Sequence, residues 1–206
     1  MSLGFYLTIE TMEWLATLGR TLGFSIASGV NLYATVAILG LASRYQWVQL
    51  PEQFKTFDNP WIIGAAGTLY MIEFVADKVP WVDSMWDSVH TLIRPVGGAV
   101  VAVASLGDAS PTTTAAIALL GGTVAAGSHA TKAGTRLAAN TSPEPFSNWA
   151  LSLGEDLFVI GLSFIALKFP LVALGVSIVI LVLIVLIARS IWKWFRRRMP
   201  QPAIVK

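Results

Sequence analysis

The stretch from Trp61 to Pro95, WIIGAAGTLYMIEFVADKVPWVDSMWDSVHTLIRP, constrains the fold more than any other. An apolar run containing glycine leads into Glu73, Asp77, Asp83, Asp87, His90 and Arg94, and apolar residues resume behind Pro95. An ionised side chain at the centre of a bilayer costs about 2.5–3.5 kcal/mol even on the most lenient scale. A chain that keeps several there either uses them or pairs them.

The rest of the sequence supports a membrane setting. Of 206 residues, 55% are hydrophobic and only 13% charged, and the mean hydropathy is +0.67. Soluble domains carry about 25% charged residues. At about 20 residues per crossing, this length predicts an all-α membrane protein: a single transmembrane domain, 1–206, of about six helices. The expected spans are 22–43, 61–79, 85–107, a fourth from 113, 149–168 and a sixth from Pro170. Residues 1–20 read as an interfacial lead-in with Tyr6 and Trp14 as aromatic anchors, and 196–206 as a basic tail. Arg196, Arg197 and Arg198 place the C-terminus in the cytoplasm by the positive-inside bias, and six crossings put the N-terminus there too. Proline at 95 predicts a kink in the third span.

Residues 74–82, FVADKVPWV, and 164–172, FIALKFPLV, share Phe, Ala, Lys, Pro and Val in register. A fainter match joins Ser28-Gly29-Val30-Asn31 to Ala126-Gly127-Ser128-His129. These echoes suggest two three-helix repeats, 22–107 and 113–195, the second inverted relative to the first as in many secondary transporters. Such a fold would place Asn31 and His129 near the midplane, although an asparagine there also serves plain helix packing. In the fourth span the small residues Gly122 with Ala126, and Gly127 with Thr131, suit close helix contact.

Glu73 and Asp77 are four apart and share a helix face. Asp83, Asp87, His90 and Arg94 follow at spacings of four, three and four. In one interpretation the carboxylates and His90 bind a cation or relay protons, with Arg94 neutralising them; any metal would sit at Glu73 and Asp77. In the other, Asp83 and Asp87 simply favour the N-terminal dipole of the third span. His129, Lys132 and Arg136 form a basic stripe able to hold an anionic group, or merely to snorkel. The acidic and basic stripes also suit each other. Of the adjacent pair Glu155 and Asp156, Glu155 is taken as the inward-facing one.

Several classes are excluded. There is no cysteine and there are only two histidines, which argues against tetrahedral zinc. HExxH, GxSxG and GxxxxGK[ST] are absent, so neither an enzyme nor a cofactor is indicated. A net charge of +2 points to no nucleic-acid partner. The partners expected are the bilayer, a small solute or ion, and a further copy of the chain.

Glu73–Pro95 and the stretch AGTRLAANTSPEPFSN, Ala133–Asn148, resemble a family of small bacterial integral membrane proteins with plastid relatives, a domain of unknown function. The resemblance covers about 15–190. It implies a multi-pass protein of the bacterial inner membrane and brings no established activity or site residues. The leading functional expectation is a small secondary transporter or permease. A solute would sit between spans one, two, four and five, with coupling through Glu73 and Asp77, while His129, Lys132 and Arg136 contact an anionic substrate or balance the acids. The alternative is a lipid-interacting or scaffold protein whose charged stripes are internal ion pairs. An enzyme acting on lipid phosphate through His90 or His129 comes third, since no nucleophile stands out.

Overall fold

The computed structural model describes residues 3–140 and 145–198, which form seven α-helices and one short 3-10 helix. In chain order these are α1 (Leu3–Val30), α2 (Leu32–Arg44), the 3-10 helix (Glu52–Asp58), α3 (Pro60–Ala76), α4 (Pro80–Leu106), α5 (Pro111–Asn140), α6 (Pro145–Lys168) and α7 (Pro170–Arg198). Five of the seven α-helices open on proline, whose missing N–H costs nothing in the first turn. Three are long and apolar enough to cross a membrane: Pro80–Leu106, Phe146–Lys168 and Pro170–Ser190. Leu32–Arg44 and Pro60–Ala76 are shorter apolar helices. The chain is therefore all-helical with membrane-spanning character. Pro95 lies inside α4 without ending it.

The single span expected at 22–43 is two helices. Asn31 leaves the helical region at φ −148 and ψ 100, and its side chain caps α2 by accepting the Ala34 N–H at 2.9 Å. It thus serves its own chain, not a neighbouring helix. Nor is α2 a continuation of α1. Gly19 lies against the Pro170 carbonyl, while Lys168 donates to the Trp47 carbonyl at 2.5 Å. Gly19 and Trp47 thus meet the same corner between α6 and α7. In a straight helix they would stand about 40 Å apart. Phe24 from α1 and Leu39 and Ala42 from α2 share one apolar cluster with Phe54 and Phe57. The α1–α2 pair is a hairpin with its tip at Asn31, and the expected lead-in is the first part of α1.

This hairpin fixes the ends of the bundle. The α6–α7 corner, the 3-10 helix and Gly107 lie at one end. The α3–α4 link lies at the other, with Asn140 donating to the Pro80 carbonyl at 3.1 Å. Met12 and Glu13 line a groove with Lys168–Val172, so α1 arrives at the α6–α7 end, whereas α7 runs away from it. The two termini therefore leave from opposite ends. The expected sharing of one side rested on a single helix over 22–43, where the chain instead forms the α1–α2 hairpin. Tyr45, Trp47 and Trp61 are exposed at one end, and Trp81, Phe146 and Trp149 at the other, as two aromatic belts would be. The side chain of Tyr6, residues 141–144 of the SPEPFSN loop and the tail beyond 198 lie outside the described residues.

Thr21–Leu32 is buried on every side, so this part of α1 is the central post of the bundle. A close seam runs between α4 and α5, where a Cβ on Gly98 would meet Ala125 and one on Gly121 would meet Ala102. Gly121 and Ala125 make the tightest small-residue contact of α5 with α4, and Gly122 of the expected Gly122–Ala126 pair also approaches α4, at the Pro95 carbonyl and Ala99. Among the described residues, a Cβ on Gly127 would meet only Ile184, at 3.9 Å.

A Gly121→Leu protein should therefore lose about 1–3 kcal/mol or more through overpacking. Gly134→Leu, with nothing within 4 Å of its Cβ position, should stay within about 0.5 kcal/mol. Thermal unfolding in detergent compares the two.

Candidate functional site

The charged stripes meet in the middle of the fold. Spacings of four, three and four turn Asp83, Asp87, His90 and Arg94 to one face of α4, and all four are buried. His129, Lys132 and Arg136 do the same on α5. Glu73 and Asp77 come from the end of α3, and Glu155 from the first half of α6. Glu73 is wholly buried, and Arg94 donates to its Oε1 at 2.6 Å. Lys132 reaches the same oxygen at 3.1 Å, Asp77 Oδ2 at 3.2 Å and Glu155 at 3.7 Å. Arg136 donates to Asp77 Oδ2 at 3.0 Å and to Glu155 Oε2 at 2.7 Å. Its Nε adds two bonds to Glu155 at 3.1 Å.

The hairpin tip completes this network. Arg94 Nη1 donates to the Gly29 carbonyl at 3.2 Å. In an uninterrupted helix that carbonyl would accept from residue 33, so the break at Asn31 frees an acceptor for the guanidinium. Arg94 Nη1 also donates to His129 Nδ1 at 2.9 Å. That fixes the imidazole as neutral, with Nε2–H facing the Asp87 carbonyl at 3.1 Å and Thr91 Oγ1 at 3.2 Å. His90 stacks on Trp86 at 4.6 Å. Its Nδ1 lies 2.7 Å from the Trp86 carbonyl and its Nε2 2.8 Å from the Tyr33 hydroxyl. His90 Nδ1–H donates to the carbonyl, which leaves Nε2 to accept from Tyr33.

Asp83 lies in the first turn of α4, where the helix dipole favours a carboxylate, and it also accepts from Asn140 Nδ2 of α5 at 2.9 Å. Glu155 faces inward as expected, but Asp156 is buried too, at 7% exposure. Asn31 contributes through the geometry of the break and not through a side-chain contact to the network. Sequence reasoning missed Asn148, which gives Arg136 Nη1 its side-chain oxygen at 2.9 Å and its carbonyl at 3.1 Å. Its only signal was the SPEPFSN stretch. Tyr33, Thr91 and the Gly29 carbonyl were also missed.

The anion-binding role considered for His129, Lys132 and Arg136 meets an obstacle: all three already have partners within the chain. The metal considered at Glu73 and Asp77 meets the same one, since Lys132 and the two arginines occupy those carboxylates. Among the described residues no three Asp, Glu or His side chains group so as to hold a metal ion.

The charges do not balance. Glu73, Asp77, Asp83, Asp87, Glu155 and Asp156 face Arg94, Lys132 and Arg136, with Lys78 at the edge. Six acids against four bases leave a negative surplus that protons or a bound cation must offset at this depth. One cavity of about 620 Å³ adjoins the network. Ser128, Thr131, Lys132, Thr135, Ser147 and Glu155 are the polar part of its wall, and the remainder is apolar, from Ile26 and Val30 to Phe158, Ile180 and Ile184. It lies among α1, α5, α6 and α7, not between the four spans expected.

Removing a hydrogen-bond partner from Arg136 should cost more than removing exposed apolar surface. Asn148→Ala should lower stability by about 1.5–3 kcal/mol by removing a buried hydrogen bond to a charged group, with Arg136 Nη1 keeping the Asp77 and Asn148 carbonyls, whereas Phe146→Ala, 78% exposed, should change it little. Thermal midpoints in one detergent decide this.

No curated protein and no solved structure matches the chain. Residues 18–190 match one family, whose stated description is a domain of unknown function. That match takes in the hairpin, the charge network and most of α7, and by it the chain belongs to the DUF4126 family.

Proposed function

We propose that the protein is a small secondary transporter or permease of the bacterial inner membrane, coupled to a proton or cation through its intramembrane carboxylates. The observation that carries this is the sealed network with more acids than bases, placed at a helix break. Transporters bind solutes and coupling ions where a discontinuous helix exposes backbone groups near the midplane, and the Gly29 carbonyl on Arg94 is such a group. The cavity of about 620 Å³ falls in the size range of small-molecule sites. Its mixed wall suits a small amphiphilic solute, and Lys132 joins that wall to Glu73 and Asp77.

In this scheme α3 to α7 cross the membrane and the α1–α2 hairpin enters and returns. The basic end of α7 puts the α3–α4 end in the cytoplasm. An inverted relation between α2–α4 and α5–α7 is supported by the shared junctions Lys78-Val79-Pro80 and Lys168-Phe169-Pro170, each closing one helix and starting the next. α5 has no break to match Asn31, so the halves differ at their first helix. The outer face of α7, 11% buried over its apolar window, is left for lipid or a further copy.

A second function has its own support. Every hydrogen-bonding nitrogen of Arg136 is used inside the chain, as a lipid-interacting or scaffold protein with internal ion pairs requires.

The two proposals differ in what Glu73→Gln does. In a transporter it abolishes uphill, gradient-driven uptake and keeps downhill exchange. Proteoliposomes with an entrapped pH dye, challenged with small amines, alcohols and carboxylic acids, report both. Unchanged uphill movement would remove Glu73 from the coupling role. In a scaffold, Glu73→Gln or Arg94→Met alone costs about 3–5 kcal/mol, and the double variant recovers most of it. Thermal unfolding of the three variants measures that recovery.

A further inference from the structure

Glu73, Asp77, Asp83 and Asp156 each leave one buried carboxylate oxygen unpartnered, but Asp87 leaves both and lines a cavity. Asp87 is 5% exposed, and neither of its side-chain oxygens accepts a hydrogen bond. Its nearest cation is Arg94 Nη1, 3.5 Å from Oδ1. That nitrogen is already committed to the Gly29 carbonyl and His129 Nδ1. Buried carboxylate oxygens without partners are costly, and here they adjoin space. A cavity of about 190 Å³ between α4 and α5 is lined by Ser84, Asp87, Ser88, Thr91, Arg136 and Leu137, among others. At about 30 Å³ per water it holds several molecules. Ser88 is exposed at its mouth and Ser84 half-buried. Both hydroxyls donate to backbone carbonyls, Ser84 to Pro80 at 3.1 Å and Ser88 to Ser84 at 2.8 Å; Ser84 Oγ also accepts from Asn140 Nδ2 at 3.1 Å, which leaves one lone pair there and those of Ser88 to accept from water.

We propose that Asp87 is the proton-binding group of this protein, reached from the α3–α4 end through water in the α4–α5 cavity. The inference rests on the transport proposal and names the group that takes the proton, with Glu73 passing the change on through Arg94 and Lys132. The surroundings select a proton over a metal ion. Besides Arg94, the charged and titratable groups around Asp87 are His90 and Asp83 on α4, His129, Lys132 and Arg136 on α5, Glu73 and Asp77 on α3, and Tyr33 on α2. Two guanidinium groups nearby repel a metal ion, and the described residues offer no set of three ligands. Arg136 lines the cavity with its donors spent on Asp77, Asn148 and Glu155, so it does not neutralise Asp87. Glu73 and Asp77 are held by Lys132 and the arginines, whereas Asp87 can change its charge without breaking a hydrogen bond.

The step is a simple transfer. A hydronium in the cavity gives its proton to one Asp87 oxygen, and water remains. The neutral acid no longer attracts Arg94, which is left to Glu73 and the hairpin carbonyl. Through Glu73 and Lys132 this reaches the cavity of about 620 Å³ on the other side of the network. Proton and solute would thus occupy separate cavities joined by one set of ion pairs.

Infrared difference titration of the full chain in lipid bilayers tests this without any solute. The wild type should show a protonated buried-carboxyl band that grows as pH falls. Asp87→Asn should lose that band, and Asp83→Asn and Asp156→Asn should keep it. A band that survives Asp87→Asn, or that responds to sodium chloride against choline chloride at fixed pH, overturns the proposal. Should Asp87→Asn fail to fold, Ser88→Leu at the cavity mouth takes its place. It should slow hydrogen–deuterium exchange of the carboxyl band, and an unchanged rate overturns the access route. Loss of the band in Asp87→Asn, with no solute-driven proton flux from the wild type, would uphold the proton site and remove the transport proposal instead.

Discussion

The structure depends on one carboxylate that has no water to face. Glu73 is wholly buried near the end of a short apolar helix, and only a cation brought to it makes that position tolerable. Arg94 and Lys132 arrive from different helices and share its Oε1. An ion pair inside a protein is poor evidence of net stability, because desolvation offsets most of the Coulomb gain. It does fix relative position. The Glu73 pairing sets the depth of α3 against α4 and α5, and Arg136 sets α6 against both through Glu155. The close seam of Gly98 and Gly121 lets the two cation-bearing helices lie near enough to reach one carboxylate.

The hairpin follows from the same constraint. A helix that stops inside the bundle strands backbone groups, which must then be satisfied within the protein. Asn31 satisfies one donor with its side chain, and Arg94 satisfies one acceptor at Gly29. The arginine that neutralises Glu73 thus also makes the helix break affordable. The tip and the network are one unit, and a change of charge in one is felt in the other.

Much of this was legible in the sequence. Prolines at 60, 80, 111, 145 and 170 mark the starts of α3 to α7, because proline fits the first turn of a helix and little else in it. The stripes on α4 and α5 were readable from helical spacing alone, and a charge at membrane depth had to face inward. The hairpin was not legible. No proline or charge interrupts residues 22 to 43; Asn31, an N-cap residue two positions after Gly29, is the local mark of the break, but the fold-back itself comes from Phe24, Leu39, Phe54 and Phe57 packing together. Nor was the choice of partners legible. The Gly29, Asp77 and Asn148 carbonyls are backbone acceptors, which any residue supplies. Asn148 sits just past a proline-rich stretch that looked like a loop and belongs to the first turn of α6.

The central claim is that α1 and α2 enter and return, carrying the tip of the hairpin to the buried charges. The chain has no cysteine, so single cysteines can be placed in the native background and labelled from each side with a membrane-impermeant thiol reagent. Trp14 and Tyr45 are exposed on either side of the hairpin, and Trp81 and Trp149 at the opposite end. Trp14→Cys and Tyr45→Cys should label from one side of the membrane, and Trp81→Cys and Trp149→Cys from the other. Labelling of Trp14→Cys and Tyr45→Cys from opposite sides would mean that residues 22–43 cross the membrane, which would contradict the account.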